Sequence, residues 1–153
     1  MLPSQTKILQ VPNPILSEIS RPVNQVDSGI KALARELSHQ LENPYCIGIA
    51  AIQIGERVRI IGVKMGLESI IIINPVLVKS SDKIYTNIES CMSVNYGRDI
   101  YRVKRHKLVK VRGVDLNERT ITYKGRDRFG AVLQHEIDHL DGRIINQFGE
   151  KWY

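Results

Sequence analysis

Cysteine is scarce in this sequence: Cys46 and Cys91 are the only two in 153 residues. Secreted scaffolds held together by disulfides use more, which excludes that class. In a reducing compartment, a cysteine accompanied by histidines points to metal binding or catalysis; the plainer alternative is two small buried hydrophobes. Long apolar runs are missing as well. The longest, "SIIIINPVLV", is cut by Asn74-Pro75 and is far too short to cross a bilayer. The N-terminal stretch "MLPSQTKILQ" has neither the charged start nor the apolar stretch of a signal peptide, so a cytoplasmic location is expected. Repeats, low-complexity tracts and linkers are absent, and the length suits one domain, 1–153, with a real core.

Acidic residues are the minority charge, 16 against 22 basic, for a net charge of +6. Much of the excess falls in "RDIYRVKRHKLVKVR" (98–112). A basic surface favours contact with RNA or a ribosome. Here, however, Val109 and Val111 alternate with Lys110 and Arg112 as in a half-buried strand. No aromatic-flanked RNA motif or helix-turn-helix pattern accompanies them, so an ordinary strand without base reading is the preferred interpretation.

What is present divides into two helical patterns around a set of strands. "DSGIKALARELSHQLENP" places Ile30, Leu33, Leu37 and Leu41 at helical spacing, with Asp27 or Ser28 as cap and Asn43-Pro44 as stop. The runs 57–64, 70–78, 84–88, 100–105, 107–114 and 119–125 read as strands. "DRFGAVLQHEIDHLDG" returns to helical spacing and stops at Gly142. The order of elements predicts an α+β domain with mostly antiparallel strands.

The final helix carries the chemistry. His135 and His139, four apart, project from one face and can converge on one ion. Glu136 sits one position around, placed to meet a water held by that ion, which is the logic of H-E-x-x-H. Two histidines leave the coordination incomplete. His39 and His106 lie in exposed, charged surroundings, whereas Cys91 in "NIESCMSVN" ends a strand and offers a thiolate. Cys91 is therefore the preferred third ligand, leaving one position open for catalysis.

Three segments in order, "IGIAAIQIG" (47–55), "ESCMS" (89–93) and "QHEIDHLDG" (134–142), resemble the signature motifs of the peptide deformylases, and the resemblance runs from "VPNPIL" to the last helix. It implies antiparallel sheets packed around a central helix bearing H-E-x-x-H. It also implies removal of the N-formyl group from formyl-methionine at the start of new polypeptides. On this resemblance Cys91, His135 and His139 hold one divalent ion, Fe2+ in the usual case, with Zn2+, Ni2+ or Co2+ able to substitute. Glu136 moves the proton from a metal-activated water to the departing amine. The Gln53 amide and the Met92 backbone N–H face the developing oxyanion. Glu89 pairs with Arg105 to support the Cys91 segment. Gly48 lets substrate backbone approach closely, and the extended "CIGIA" pairs with a peptide as an added strand. Ile47, Ser90 and Val132 border the substrate; a core role for Val132 stands equally.

The sequence departs from the family pattern at four places. Cys46 and Ser90 stand where the motifs have glycine, with backbone strain or an altered substrate groove as the expected result. Ile52 and Asn95 stand where proline or a small residue is frequent, a milder change. The chain ends eleven residues after Gly142, short of the basic C-terminal helix that the resemblance associates with ribosome docking. Ribosome contact is thus weakly supported, a monomer is expected, and compact relatives of this kind occur in bacteriophages, whose enzyme would act in the cytoplasm of the infected host. Two alternatives stand beside the deformylase reading: an H-E-x-x-H endopeptidase, and a basic ribosome- or nucleic-acid-binding module with a structural metal.

Overall fold

Asp27 accepts a hydrogen bond from Ile30 N–H at 2.9 Å and starts helix α1 (Ser28–Gln40). Its buried stripe, Leu37 with Leu41 just beyond the helix, packs on Ile49, Ile60 and Ile73. The structure, a computed structural model, describes residues 6–152; the N-terminal residues used in the signal-peptide reading lie partly outside that range.

Strands β1 (Gly48–Ala50), β2 (Ile60–Met65), β3 (Glu68–Ser80), β6 (Leu108–Val114) and β7 (Thr120–Arg126) form one antiparallel sheet in the order β1-β2-β3-β6-β7. Strands β4 (Ile84–Glu89), β5 (Tyr101–His106) and the short β8 (Glu150–Lys151) form a second antiparallel sheet. The expected strand at 57–64 begins three residues late, because residues 57–59 are bonded instead to Arg21: Arg21 N–H donates to Arg57 O and Arg59 N–H to Arg21 O, both at 2.9 Å. Strand β3 runs through Asn74-Pro75 despite the proline. Asn74 adopts φ 52° there, and its side chain donates to and accepts from the Val23 backbone at 2.8 Å, within a register shift of the ladder.

Helix α2 (Asp127–Leu140) joins the two sheets. Leu133 and Leu140 pack with Val109, Val111, Ile61, Val63 and Ile72 on the inner face of the larger sheet. On the other side, the Gln134 amide exchanges two bonds of 2.9 Å with the backbone of His106 at the end of β5. Its first turn lies against β7 because neither side has a side chain in the way: a Cβ on Gly130 would sit 2.7 Å from Gly125 O. The helix ends at Leu140, and Gly142 follows at φ 74° as the expected stop. A short helix α3 (Ile145–Phe148) leads into β8. Among the described residues no helix is long and apolar enough to cross a membrane.

Candidate metal centre and active site

Cys91 lies two residues beyond the end of β4, and His135 and His139 lie on consecutive turns of α2. The fold brings them together: their candidate ligand atoms all lie within 4.8 Å of one another. Cys91 Sγ is 3.3 Å from His139 Nε2. His135 Nδ1 is taken by Glu89 Oε1 at 2.8 Å, which leaves Nε2 for coordination. One sulfur and two imidazoles suit a borderline divalent cation and leave a position open, so the residues fit such an ion. His139 Nδ1 is buried without a partner among the described residues.

Glu89 is the hub behind the ligands. Arg105 Nε and Nη2 donate to its two oxygens at 2.8 and 2.7 Å, and Asn87 Nδ2 adds a bond of 3.0 Å. Burial opposes its ionisation, yet the hydrogen bonds from Arg105 and His135 hold its pKa down at about 2. Arg105 also donates to Asp138 at 2.6 Å, so the predicted pair is one edge of a network that returns to α2. For His135, burial disfavours the cation, but the charge of Glu136 and the hydrogen bonds to Cys91 and Glu89 outweigh it and raise its pKa; an ion binding there displaces that proton. His139 is pushed the other way by burial and by the charge on His135.

Glu136 is buried, and its Oε1 has no partner among the described residues. Burial lifts its carboxyl to about 7, against the pull of His135. Gly48 stands directly opposite, and a Cβ there would lie 2.6 Å from Glu136 Oε2 and 2.9 Å from Val132 Cγ1. The glycine therefore makes room for the glutamate. Gln53 sits on a 3-10 turn (Ala51–Ile54) that follows β1. Its Oε1 accepts from Ala50 N–H at 2.9 Å, and its Nε2 donates to Ser93 Oγ at 3.0 Å and lies 3.8 Å from Cys91 Sγ. The Met92 N–H has no hydrogen-bond partner among the described residues, while Met92 O accepts from the Gln10 side chain at 2.7 Å.

A cavity of about 280 Å³ opens onto this group. Ile47, Gly48, Gln53, Ser90, Met92 and Val132 all line it, together with Cys91, His135 and Glu136. Val132 also packs against the main core. Cys46 and Ser90 line the cavity too, and neither has a positive φ. The strain considered for them is absent. Burial, aided by the charge of Glu136, raises the Cys46 thiol to about 12, so it is inert beside the site. Asn95 is the larger departure: it adopts φ 46°, followed by Tyr96 at 54° and Gly97 at 81°. Proline is locked near −65° and cannot take that conformation, so the change is not a mild one. His39 and His106, expected to be exposed, are half-buried, with His106 Nδ1 2.8 Å from Ser81 O.

Sequence reading missed Asn87, Asp138, Ser93, Gln10 and Arg128. Asp138 carried a signal, since it directly precedes His139 in the quoted motif. Arg128 did as well, lying one turn before Val132 on the cavity side of α2. Gln10 is 82 residues from Met92 and carried none.

The chain matches the family described as polypeptide deformylase over residues 5–150. It is 35% identical over 139 residues to the peptide deformylase of Dictyoglomus thermophilum, covering 91% of this chain and 89% of that one. The peptide deformylase of Bartonella tribocorum is 34% identical over 146 residues, 90% of this chain and 80% of its own. Among solved structures, the peptide deformylase of Ehrlichia chaffeensis superposes with a TM-score of 0.89 at 28% identity, covering 95% of this chain and 88% of that one. The enzyme of the Vibrio parahaemolyticus bacteriophage VP16T, solved with actinonin, superposes at 0.83 with 30% identity, over 91% of this chain and 99% of that one.

Proposed function

Because the chain belongs to the polypeptide deformylase family, which removes N-formyl groups from nascent peptides, we propose that it does so as a metal-dependent hydrolase at the Cys91, His135 and His139 cluster. The carrying observation is the convergence of three ligand atoms and an unpartnered buried carboxylate on one cavity. Cys91, His135 and His139 would hold a divalent cation, Fe2+ in the family's usual case, which when bound would lower the pKa of a water and polarise the formyl oxygen. The remaining work falls to the chain's own residues.

Glu136 accepts the proton of the attacking water and delivers it to the departing amine, so that water and formyl amide become formate and a free N-terminus. Its raised pKa keeps both protonation states accessible near neutrality. The free Met92 N–H and the Gln53 amide stabilise the oxyanion, each donor being worth about 2.7–4 kcal/mol in barrier. Glu89 fixes the tautomer and ring orientation of His135. The open edge of β1 receives the peptide as an added strand, and Ile47, Ser90 and Val132 border the methionine side chain.

The test is formate release from formyl-Met-Ala-Ser by anaerobically prepared Fe- or Ni-loaded protein, beside cleavage of a blocked internal peptide. Formate without internal cleavage is expected. Internal cleavage alone would assign the chain's chemistry to an endopeptidase.

A further inference from the structure

The outer face of the larger sheet, opposite the face that α2 covers, carries a row of lysines. The register sets Lys79 of β3 opposite Lys110 of β6, and Lys110 opposite Lys124 of β7. All three are exposed. Arg112 follows two residues along β6, opposite Thr122, and Arg126 lies opposite Leu108 at the other end. None of these five cations has a hydrogen bond or ion pair among the described residues. Acids are available elsewhere: Arg57, Arg59, Arg102, Lys107, Arg143 and Lys151 each have one.

Adjacent strands run about 4.8 Å apart, so the three lysine stems leave the sheet within roughly 10 Å of one another. Like charges directly opposite destabilise a sheet. At physiological salt the screening length is about 8 Å, too long to hide neighbouring lysines from each other. A face kept only for solubility mixes both signs. This one has a single sign, and it stands clear of the catalytic cavity, whose lining includes none of the five.

We propose that this face docks the phosphate backbone of RNA, without reading sequence, while the catalytic cavity stays open. Phosphate oxygens are satisfied by cations and by hydroxyls such as that of Thr122, and the face has no exposed aromatic side chain on which bases stack. The absence of an aromatic belt likewise disfavours a lipid surface. The proposal is independent of the deformylase reading, and either can fail alone.

The probe is a labelled single-stranded RNA of about 20 nucleotides, followed by fluorescence anisotropy between roughly 50 and 250 mM salt. Each phosphate neutralised on a single strand contributes about −0.7 to the slope of log K against log salt. The five cations therefore predict a slope of about −3.5, with micromolar to sub-millimolar affinity. The triple variant Lys79→Gln, Lys110→Gln, Lys124→Gln retains two cations and should fall to about −1.4. Its formate release from formyl-Met-Ala-Ser should equal that of the unaltered protein. Lys110→Glu leaves a net of three positive charges on the face, so its slope should fall to about −2.1, between those of the unaltered chain and the triple variant, while its melting temperature rises by about 1–4 °C, as relief of like-charge contacts requires. Equal slopes for the triple variant and the unaltered chain overturn the proposal. So does the absence of any anisotropy change at low salt, or capture by phosphatidylglycerol vesicles without RNA binding.

Discussion

Glu136 reaches the cavity with one oxygen against Gly48 and the other unpartnered. A carboxylate in that position is there to exchange protons, so Glu136→Gln should lower kcat by about 10²–10⁴-fold, the usual worth of a general acid–base group. Metal content, measured on the same preparation, should be unchanged, since Glu136 is not among the converging ligand atoms. A variant with undiminished formate release would remove the glutamate from the reaction. The pH dependence follows from the same group. As proton acceptor it works ionised, so activity rises with pH along an acid limb. Burial, opposed by the charge on His135, puts that limb at about 7; a bound cation would favour the carboxylate and move it lower. The profile of kcat/KM should show a limb at or below about pH 7 that is missing from the residual activity of Glu136→Gln.

Gly48 supplies an independent check on the same contact. In Gly48→Ala the new methyl would stand 2.6 Å from Glu136 Oε2, so the carboxylate has to move. Since β1 is held by its ladder with β2, the fold should survive while kcat falls about 10²-fold, as misplacement by an ångström costs. Circular dichroism and formate release measured together separate this outcome from simple unfolding.

Between elements, the site depends on a chain of charges linking β4, β5 and α2: Glu89 to Arg105, Arg105 to Asp138, and Glu89 to His135. Glu89 has its folded pKa lowered from 4.5 to about 2. Its contribution is therefore fully present above pH 4.5 and is lost as the pH falls toward 2. Glu89→Gln leaves Arg105 buried with Asp138 as its remaining anion, and should cost about 3 kcal/mol in a urea melt. It should also weaken metal binding roughly 10–100-fold, because His135 loses the partner that orients it. An unaltered metal affinity would reduce Glu89 to a purely structural role.

This network marks the limit of what the sequence makes legible. Helix spacing places His135 and His139 on one face, and a strand end followed by cysteine offers the third ligand; both are local patterns. The Glu89–Arg105 pair came only through the family motif. Its extension to Asp138 and His135 joins residues 33 and 46 apart, which no local period encodes. The strands were found from β-branched alternation, but their division into two sheets was not, because register is decided by pairing partners. Gly48 shows the same boundary. A glycine beside a site suggests space for something, and only packing reveals that Glu136 fills part of it.

At the scale of the whole molecule, the candidate metal ligands come from different parts of the fold. Cys91 extends from the smaller sheet, while both histidines belong to the helix packed on the larger one. An ion gripping all three is a clamp between the sheets as well as a catalyst, and it binds only the folded chain. At free metal about 100 times its dissociation constant, such binding adds about 2.7 kcal/mol. For a protein of this length that corresponds to a melting temperature higher by about 5–10 °C. Removing the metal with a chelator should therefore lower the melting temperature by that amount, and returning Ni or Zn should restore it. In Cys91→Ser the clamp is broken on the smaller sheet's side. Its melting temperature should respond weakly to metal, and its melting curve should resemble that of the chelated protein. If Cys91→Ser gains as much stability from added metal as the unaltered chain does, the ion is held by the α2 histidines with some other partner, and it does not clamp the two sheets together.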